Sequence, residues 1–276
     1  MIRFGICNEL FEGWDLARTC AVVKELGYDG IELAPFTLAP LVTMLGKDRR
    51  AEIKQTIEES GLETIGLHWL LAKTDGYHLT SPDPTVRFNT IDYLKALIEA
   101  TREMGGSVMV FGSPKQRDIA MDLSREDGER FAVEVLQTVT GDLEAHGVEL
   151  CMEPLTSEET NFLTSIAETR ALIERVGHPN VTLHLDVKAM SSDPGGTVPD
   201  LIRRHAPYAG HFHANDPNLR GPGMGNTDFG PIMKALVDSG YDRWVSVEVF
   251  DFAPGAEETA RQSLDCLRRT LAGAQA

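Results

Sequence analysis

Eight short runs rich in β-branched and aliphatic residues alternate with amphipathic stretches along this chain, and that rhythm restricts the fold more than any other feature. The runs cover residues 2–7, 30–33, 64–68, 108–111, 148–153, 181–186, 209–213 and 244–249. Between them apolar residues recur three or four apart, as in Leu16, Cys20, Val23 and Leu26, or Ile91, Leu94, Leu97 and Ile98. That spacing predicts helices with one buried face. Gly27, Gly61, Gly147, Gly177 and Gly240 each stand where a helix should stop before a strand. Strands alternating with helices imply right-handed βαβ units and a parallel sheet. Eight such units in 276 residues match a closed (β/α)₈ TIM barrel, which needs about 250 residues. The expectation is therefore a single barrel domain over residues 1–276. A doubly wound open sheet is the competing fold, but the first strand–helix turn, Cys7-Asn-Glu-Leu-Phe-Glu-Gly13, lacks the GxGxxG phosphate loop. Two Gly/Pro-rich loops, 191–197 and 215–226, follow strand ends, where a barrel keeps its active-site loops.

Alternation along each strand sorts its side chains onto two faces. In 181–186, Val181, Leu183 and Leu185 oppose Thr182, His184 and Asp186. In the last run Val245, Val247 and Val249 oppose Trp244, Ser246 and Glu248. Leu150 and Met152 oppose Cys151 and Glu153, and Phe212 opposes His211 and His213. The aliphatic rows must face the helix layer, so the polar rows point into the barrel. Each polar row ends, at the C-terminal end of its strand, in a group able to bind metal: Glu153, Asp186, His213 and Glu248. Three carboxylates converging on one small volume repel unless protons, cations or a metal hold them. One divalent metal ion fits three carboxylates and an imidazole, with Mn²⁺ or Mg²⁺ favoured, Co²⁺ also suitable, and Zn²⁺ behind them for want of nitrogen or sulfur. Unrelated buried carboxylates answered by Arg or Lys would be the bland alternative, and four matched strand ends speak against it.

The segments Cys151-Met-Glu-Pro-Leu, Glu159-Thr-Asn-Phe-Leu, His184-Leu-Asp186, Gly210-His-Phe-His213 and Trp244-Val-Ser-Val-Glu-Val-Phe-Asp251 carry a resemblance that runs nearly end to end. They resemble the xylose isomerase-like barrel superfamily of sugar isomerases and epimerases, the ketose 3-epimerases in particular. The resemblance implies that Glu153, Asp186, His213 and Glu248 are the metal ligands, that Glu153 and Glu248 also transfer protons, and that Glu159 contacts a substrate hydroxyl. It also implies dimers or tetramers. The chain departs from the ketohexose epimerases at two positions. Ala189, with Lys188 before it, stands where they have His, and Leu219, followed by Arg220, stands where they have Arg. Lys188, beyond Asp186 at the mouth, then either contacts the substrate or neutralises the carboxylate cluster, Arg220 becomes a candidate substrate contact, and the expected substrate is not a free common ketohexose but a sugar or keto-acid with a carboxylate, phosphate or second carbonyl. His68, closing the third strand, is a further candidate contact, and His211 lies one layer below His213 as support. Asn8 and Glu32 end the first two strands and either line the pocket or cap a helix. The loop Gly112-Ser-Pro-Lys-Gln-Arg117 brings two cations toward the active face and could hold an anion.

Enediolate chemistry suits these residues. An ion chelating a carbonyl and its neighbouring hydroxyl acidifies the C–H between them, and returning the proton to the other face inverts the centre. The same intermediate can expel a β-hydroxyl, which makes a dehydratase, lyase or decarboxylase the main alternative. Abasic-site endonucleases share this barrel, but they carry extra histidines on strands four and six, where this chain has Phe111-Gly112 and Ala189. The formal charge of −16 also repels nucleic acid and anionic membrane. A non-enzymatic sugar-binding barrel would not need the full ligand set. Residues 1–8 lack the apolar core of a signal peptide, no run approaches the roughly 18 apolar residues of a membrane span, and the 4 cysteines form no CxxC pair. The chain therefore reads as a cytoplasmic protein with reduced thiols.

Overall fold

All eight apolar runs form strands in the computed structural model, which describes residues 1–276. They are β1 (Arg3–Cys7), β2 (Gly30–Leu33), β3 (Glu63–Leu67), β4 (Val108–Phe111), β5 (Glu149–Met152), β6 (Val181–Asp186), β7 (Ala209–Ala214) and β8 (Trp244–Val247). Every neighbouring pair is parallel, β1 pairs with β8, and the sheet closes in chain order. An outer layer is formed by α1 (Leu16–Leu26), α2 (Lys47–Glu59), α3 (Pro84–Glu103), α4 (Arg125–His146) and α5 (Ile166–Val176). A short α6 (Val187–Met190) follows β6 at the mouth, and α7 (Val198–His205), α8 (Phe229–Asp238) and α9 (Ala256–Gln275) complete the ring. Asp15, Asp83, Ser124 and Ser165 cap helix starts by accepting backbone N–H groups. Gly27 ends α1 at φ 101°, a backbone conformation that side chains with a Cβ resist. No helix is long and apolar enough to cross a membrane. All four cysteines are buried and unpaired.

The two faces of the strands have separate destinations. Outward residues such as Ile31, Met109, Leu183 and Phe212 join a core of 66 buried residues shared with the helices. Ile65, Val108, Val110, Cys151 and Trp244 form a second apolar cluster inside the barrel, toward its N-terminal end. Two irregularities in register adjust the inward rows. On β7, Ala209 pairs with Leu183 and His211 with His184, so Gly210 is an extra residue. A Cβ at Gly210 would lie 2.3 Å from Thr182 Oγ1 and 2.7 Å from Cys151 Sγ, so only glycine fits here and His211 still turns inward. On β3, Ile65 is the extra residue between the partners of Ile31 and Glu32, and it fills the interior beneath His68. Bulges of this kind re-aim side chains at barrel rims.

Two strands, β3 and β5, end one residue earlier than the apolar runs suggest, and β8 ends two earlier. His68, Glu153 and Glu248 each lie just past β3, β5 and β8. The ladder nevertheless carries one more bond at each point: His68 N donates to Leu33 O at 3.1 Å, Glu153 N to Phe111 O at 3.2 Å and Glu248 N to Ala214 O at 3.3 Å. The inward direction of the strand is thus preserved where the site residues stand.

Candidate metal centre

At the C-terminal mouth, Glu153, Asp186 and His213 bring ligand-type atoms within 4.8 Å of one another, together with His184. Glu248 joins from β8, its Oε2 at 3.2 Å from His213 Nδ1. All five side chains are buried. The contact to His213 Nδ1 has the distance of a hydrogen bond but not its alignment, and both ring nitrogens of His184 have no partner at all. Buried imidazole nitrogens without partners beside carboxylates are costly, and a divalent cation is the group they would serve. The donor set therefore fits the implied ion. His184 shares the inward face of β6 with Asp186, a parity legible in the sequence, although no role follows from parity alone.

Asp186 is fixed by two contacts, one of them anchored by a third. Its Oδ1 accepts from Ala189 N at 2.7 Å, its Oδ2 accepts from Asn215 Nδ2 at 2.5 Å, and Asn215 Oδ1 in turn accepts from Lys188 N at 2.8 Å. Trp69 Nε1 donates to Glu248 Oε1 at 2.9 Å, and Trp69 holds φ at 53°, a strained backbone position of the kind found at functional sites. Gly112 gives Glu153 its space, since a Cβ there would fall 1.7 Å from Glu153 Oε2. Position 112 therefore has no room for a histidine.

Beneath the mouth, Glu32 is buried and bonds His211 Nε2 at 2.8 Å and His213 Nε2 at 3.2 Å. This leaves the Nδ1 of His213 facing Glu248. A carboxylate behind a ligating imidazole fixes its tautomer and ring orientation. Of the two sequence readings for Glu32, pocket or helix cap, the structure takes neither. Parity with Gly30 put its side chain inside the barrel, but only the closed sheet brings it across to β7. Asn8 lines a cleft beside the site, held there by its Oδ1, which accepts from Ala34 N, and its Nδ2, which donates to Thr37 Oγ1, both at 2.8 Å.

The electrostatics divide the carboxylates. Burial, with Glu248 and Asp186 nearby, pushes Glu153 well above the usual carboxylate range. Burial and Glu248 raise Asp186 to about 6. Burial also works to raise Glu248, yet the charge of His213 beside it, helped by His68 and by the hydrogen bond from Trp69, outweighs it and holds Glu248 below its ordinary value. His213 is the counterpart: burial lowers it, and Glu248 and Glu32 together raise it well above an ordinary imidazole.

The remaining candidates are already partnered, and Arg220 lies on a partly exposed loop. Glu159 Oε1 accepts from Lys188 Nζ at 2.6 Å, and its Oε2 from Thr156 Oγ1 at 2.9 Å. Arg220 Nε donates to Asp251 Oδ2 at 2.8 Å. His68 is fully buried, with Nε2 at 2.8 Å from Glu9 Oε2. Both cations invoked for an anionic substrate are thus committed to carboxylates. The loop 112–117 corrects the expectation of an anion site: Arg117 turns inward, buried, and donates to Glu153 O at 2.6 Å and to Phe111 O. It is a brace for the strand end that carries Glu153.

The xylose isomerase-like TIM barrel model matches residues 20–270. The chain is 29% identical over 232 residues to a D-psicose 3-epimerase of Ruminiclostridium cellulolyticum, covering 83% of this chain and 76% of that protein. It is 24% identical over 275 residues to a 3-dehydro-D-guloside 4-epimerase of Escherichia coli, covering 97% of this chain and 99% of that protein. A crystal structure of D-psicose 3-epimerase with D-tagatose from Clostridium cellulolyticum H10 shares the fold, with a TM-score of 0.86 at 23% identity over 98% of this chain and 99% of that one. Relatives named as epimerases support isomerase or epimerase activity here. By the extent of the family match and the closed eightfold sheet, the chain belongs to the xylose isomerase-like TIM-barrel family.

Proposed function

We propose that this single barrel domain, residues 1–276, is a divalent-metal-dependent epimerase or isomerase of a neutral keto-sugar. The observation that carries the reading is the meeting of Glu153, Asp186, His213 and Glu248 at the mouth, beside ring nitrogens that nothing else in the protein satisfies. These four would hold the ion, and His184 would add a second nitrogen. Two imidazoles move the preference toward Mn²⁺, Co²⁺ or Zn²⁺ and away from Mg²⁺. When bound, the ion supplies Lewis acidity that polarises a carbonyl and an adjacent hydroxyl and acidifies the C–H between them.

Glu153 and Glu248 follow β5 and β8, three strands apart around the closed sheet, so a sugar seated between them would meet one glutamate on each side. Glu248, aimed by Trp69, takes the proton from one face of the sugar, and Glu153 returns one to the opposite face. Glu159 orients a hydroxyl with Lys188 fixing its carboxylate. Neutral substrates are favoured because Lys188 and Arg220 are both paired.

Solvent deuterium uptake by D-psicose, D-tagatose and 3-keto-glucosides, with and without added Mn²⁺, tests this reading. Metal-stimulated exchange at a carbon next to the carbonyl is expected. Full exchange after exhaustive chelation would sink the metal role, and elimination without exchange would point to a lyase.

A further inference from the structure

Beside the carboxylate centre, the ends of β1 and β3 carry a second group of ligand-type side chains. Position 5 faces into the barrel, where a Cβ on Gly5 would lie 2.6 Å from Ser246 Oγ. Cys7, two residues on, therefore faces inward as well, and it pairs in register with Glu32. Glu9 follows in the 3-10 turn Asn8–Phe11, which Asn8 pins to Ala34 and Thr37. His68 follows β3. Cys7, Glu9 and His68 each offer a ligand atom within 4.8 Å of the other two. None of them belongs to the set Glu153, Asp186, His213 and Glu248.

Hydrogen bonding within the group does not use up its polar atoms. Glu9 Oε2 lies 2.8 Å from His68 Nε2, but Glu9 Oε1 and His68 Nδ1 are shut off from solvent without a hydrogen-bond partner. Nδ1 faces Glu32 Oε1 at 3.8 Å, beyond hydrogen-bond reach. The His68 side chain is fully buried, and that of Glu9 is 10% exposed. Cys7 is buried too, and its Sγ has one polar contact, to His213 Nε2 at 3.9 Å. Enclosing a thiol, an imidazole and a carboxylate together with atoms left unpaired is costly, and a cation among them removes that cost.

The donor types select the ion. Sulfur and nitrogen with one carboxylate oxygen suit zinc, and three protein ligands leave its fourth position open. Ligand atoms around a tetrahedral zinc stand roughly 3–4 Å apart, so small side-chain shifts bring these three onto it. We propose that Cys7, Glu9 and His68 form a second metal site, selective for Zn²⁺, next to the oxygen-rich centre and separate from its ligands. Binding converts the Cys7 thiol to a thiolate and releases its proton to solvent. The proposal uses no part of the keto-sugar reading.

Metal counting and cobalt spectroscopy on the full-length protein test it. Protein stripped by chelation is dialysed against Zn²⁺ and its metal content measured. A parallel sample takes Co²⁺, whose bond to a thiolate adds a near-ultraviolet charge-transfer band that oxygen and nitrogen ligands do not give. The expected result is about two equivalents of zinc per chain, with the band present in the cobalt protein. Asp186→Asn should keep the band and lose one equivalent. Cys7→Ser should lose the band and the other equivalent. Glu9→Gln should weaken zinc at that site by about tenfold or more, and it decides the matter if Cys7→Ser does not fold. A cobalt protein without the band overturns the site, as does a band that persists in Cys7→Ser or an undiminished zinc affinity in Glu9→Gln. One equivalent in all, lost with Cys7→Ser and kept with Asp186→Asn, would uphold this site and fell the carboxylate centre; the reverse pattern would fell this site alone.

Discussion

The two ends of the barrel interior are built from the same strands and behave as opposites. Toward the N-terminal end, Ile65, Val108, Val110, Cys151 and Trp244 fill the space with apolar groups. Two residues further along β5 and four further along β8, Glu153 and Glu248 face the same axis as ionisable groups. One end is packed without charge. The other concentrates carboxylates and imidazoles, buried, several of them without partners. Apolar packing stabilises the floor, whereas the mouth stores repulsion that a cation would relieve. Stability and chemistry are therefore separable along one strand, and the separation can be tested.

The largest effect should come from the mouth. Glu153→Gln and Glu248→Gln each keep shape and remove a proton-transfer group. Each is expected to slow solvent exchange of the substrate C–H by about 10²–10⁴, with little change in melting temperature. Metal content measured on the same samples separates lost chemistry from lost ligation. Variants that keep their metal and exchange at the wild-type rate would falsify the assignment and move the base to Glu159 or His68.

The floor should show the reverse. Trp244→Ala removes a buried ring from the inner cluster and is expected to cost about 3–5 kcal/mol of stability, read by denaturant unfolding. Metal affinity in the folded protein should hold. If that substitution weakens metal binding as much as a mouth substitution does, the two ends are coupled and the comparison fails.

Metal binding at the mouth should depend on pH with a definite sign. Asp186, raised to about 6, keeps its proton more tightly in the folded protein than in the unfolded chain. Its contribution to metal-free stability is present at low pH and is lost as pH rises from the ordinary carboxylate value to about 6. Ligation requires the deprotonated form, so affinity should rise with pH by about tenfold per unit for each proton displaced, through 6 for Asp186 and further for Glu153 and His213, which are also raised. Calorimetry in buffers of different ionisation enthalpy measures that proton release. Affinity independent of pH across this range would remove Asp186 from the ligand set.

The smallest effect belongs to Lys188. Its pair with Glu159 is partly exposed, and Lys188→Met is expected to change stability by less than about 1 kcal/mol and KM only a few-fold. A loss in kcat/KM beyond about tenfold, confined to carboxylate- or phosphate-bearing sugars, would restore the anionic substrate that the sequence suggested.

Strand count, order and the inward parity of Glu153, Asp186, His213 and Glu248 were legible in the sequence. Local rules set them: side chains alternate along a strand, glycines end helices, and a closed barrel of this length wants eight units. Other features depended on which distant residues meet. The extra residues Gly210 and Ile65 shift register in a way that only strand pairing reveals. Glu32 is an inward carboxylate by parity, but its bonds to His211 and His213 cross from β2 to β7 and exist only once the sheet closes. Arg220 and Arg117 looked like free cations in the sequence, and the fold commits each to an acceptor, whereas Lys188 takes the neutralising role that was one of its two readings. The grouping of Cys7 and Glu9 with His68 has no sequence period at all, because β1 and β3 come together only on either side of β2 in the sheet. Covalent periodicity decides which face a side chain takes, whereas closure of the barrel decides what it finds there.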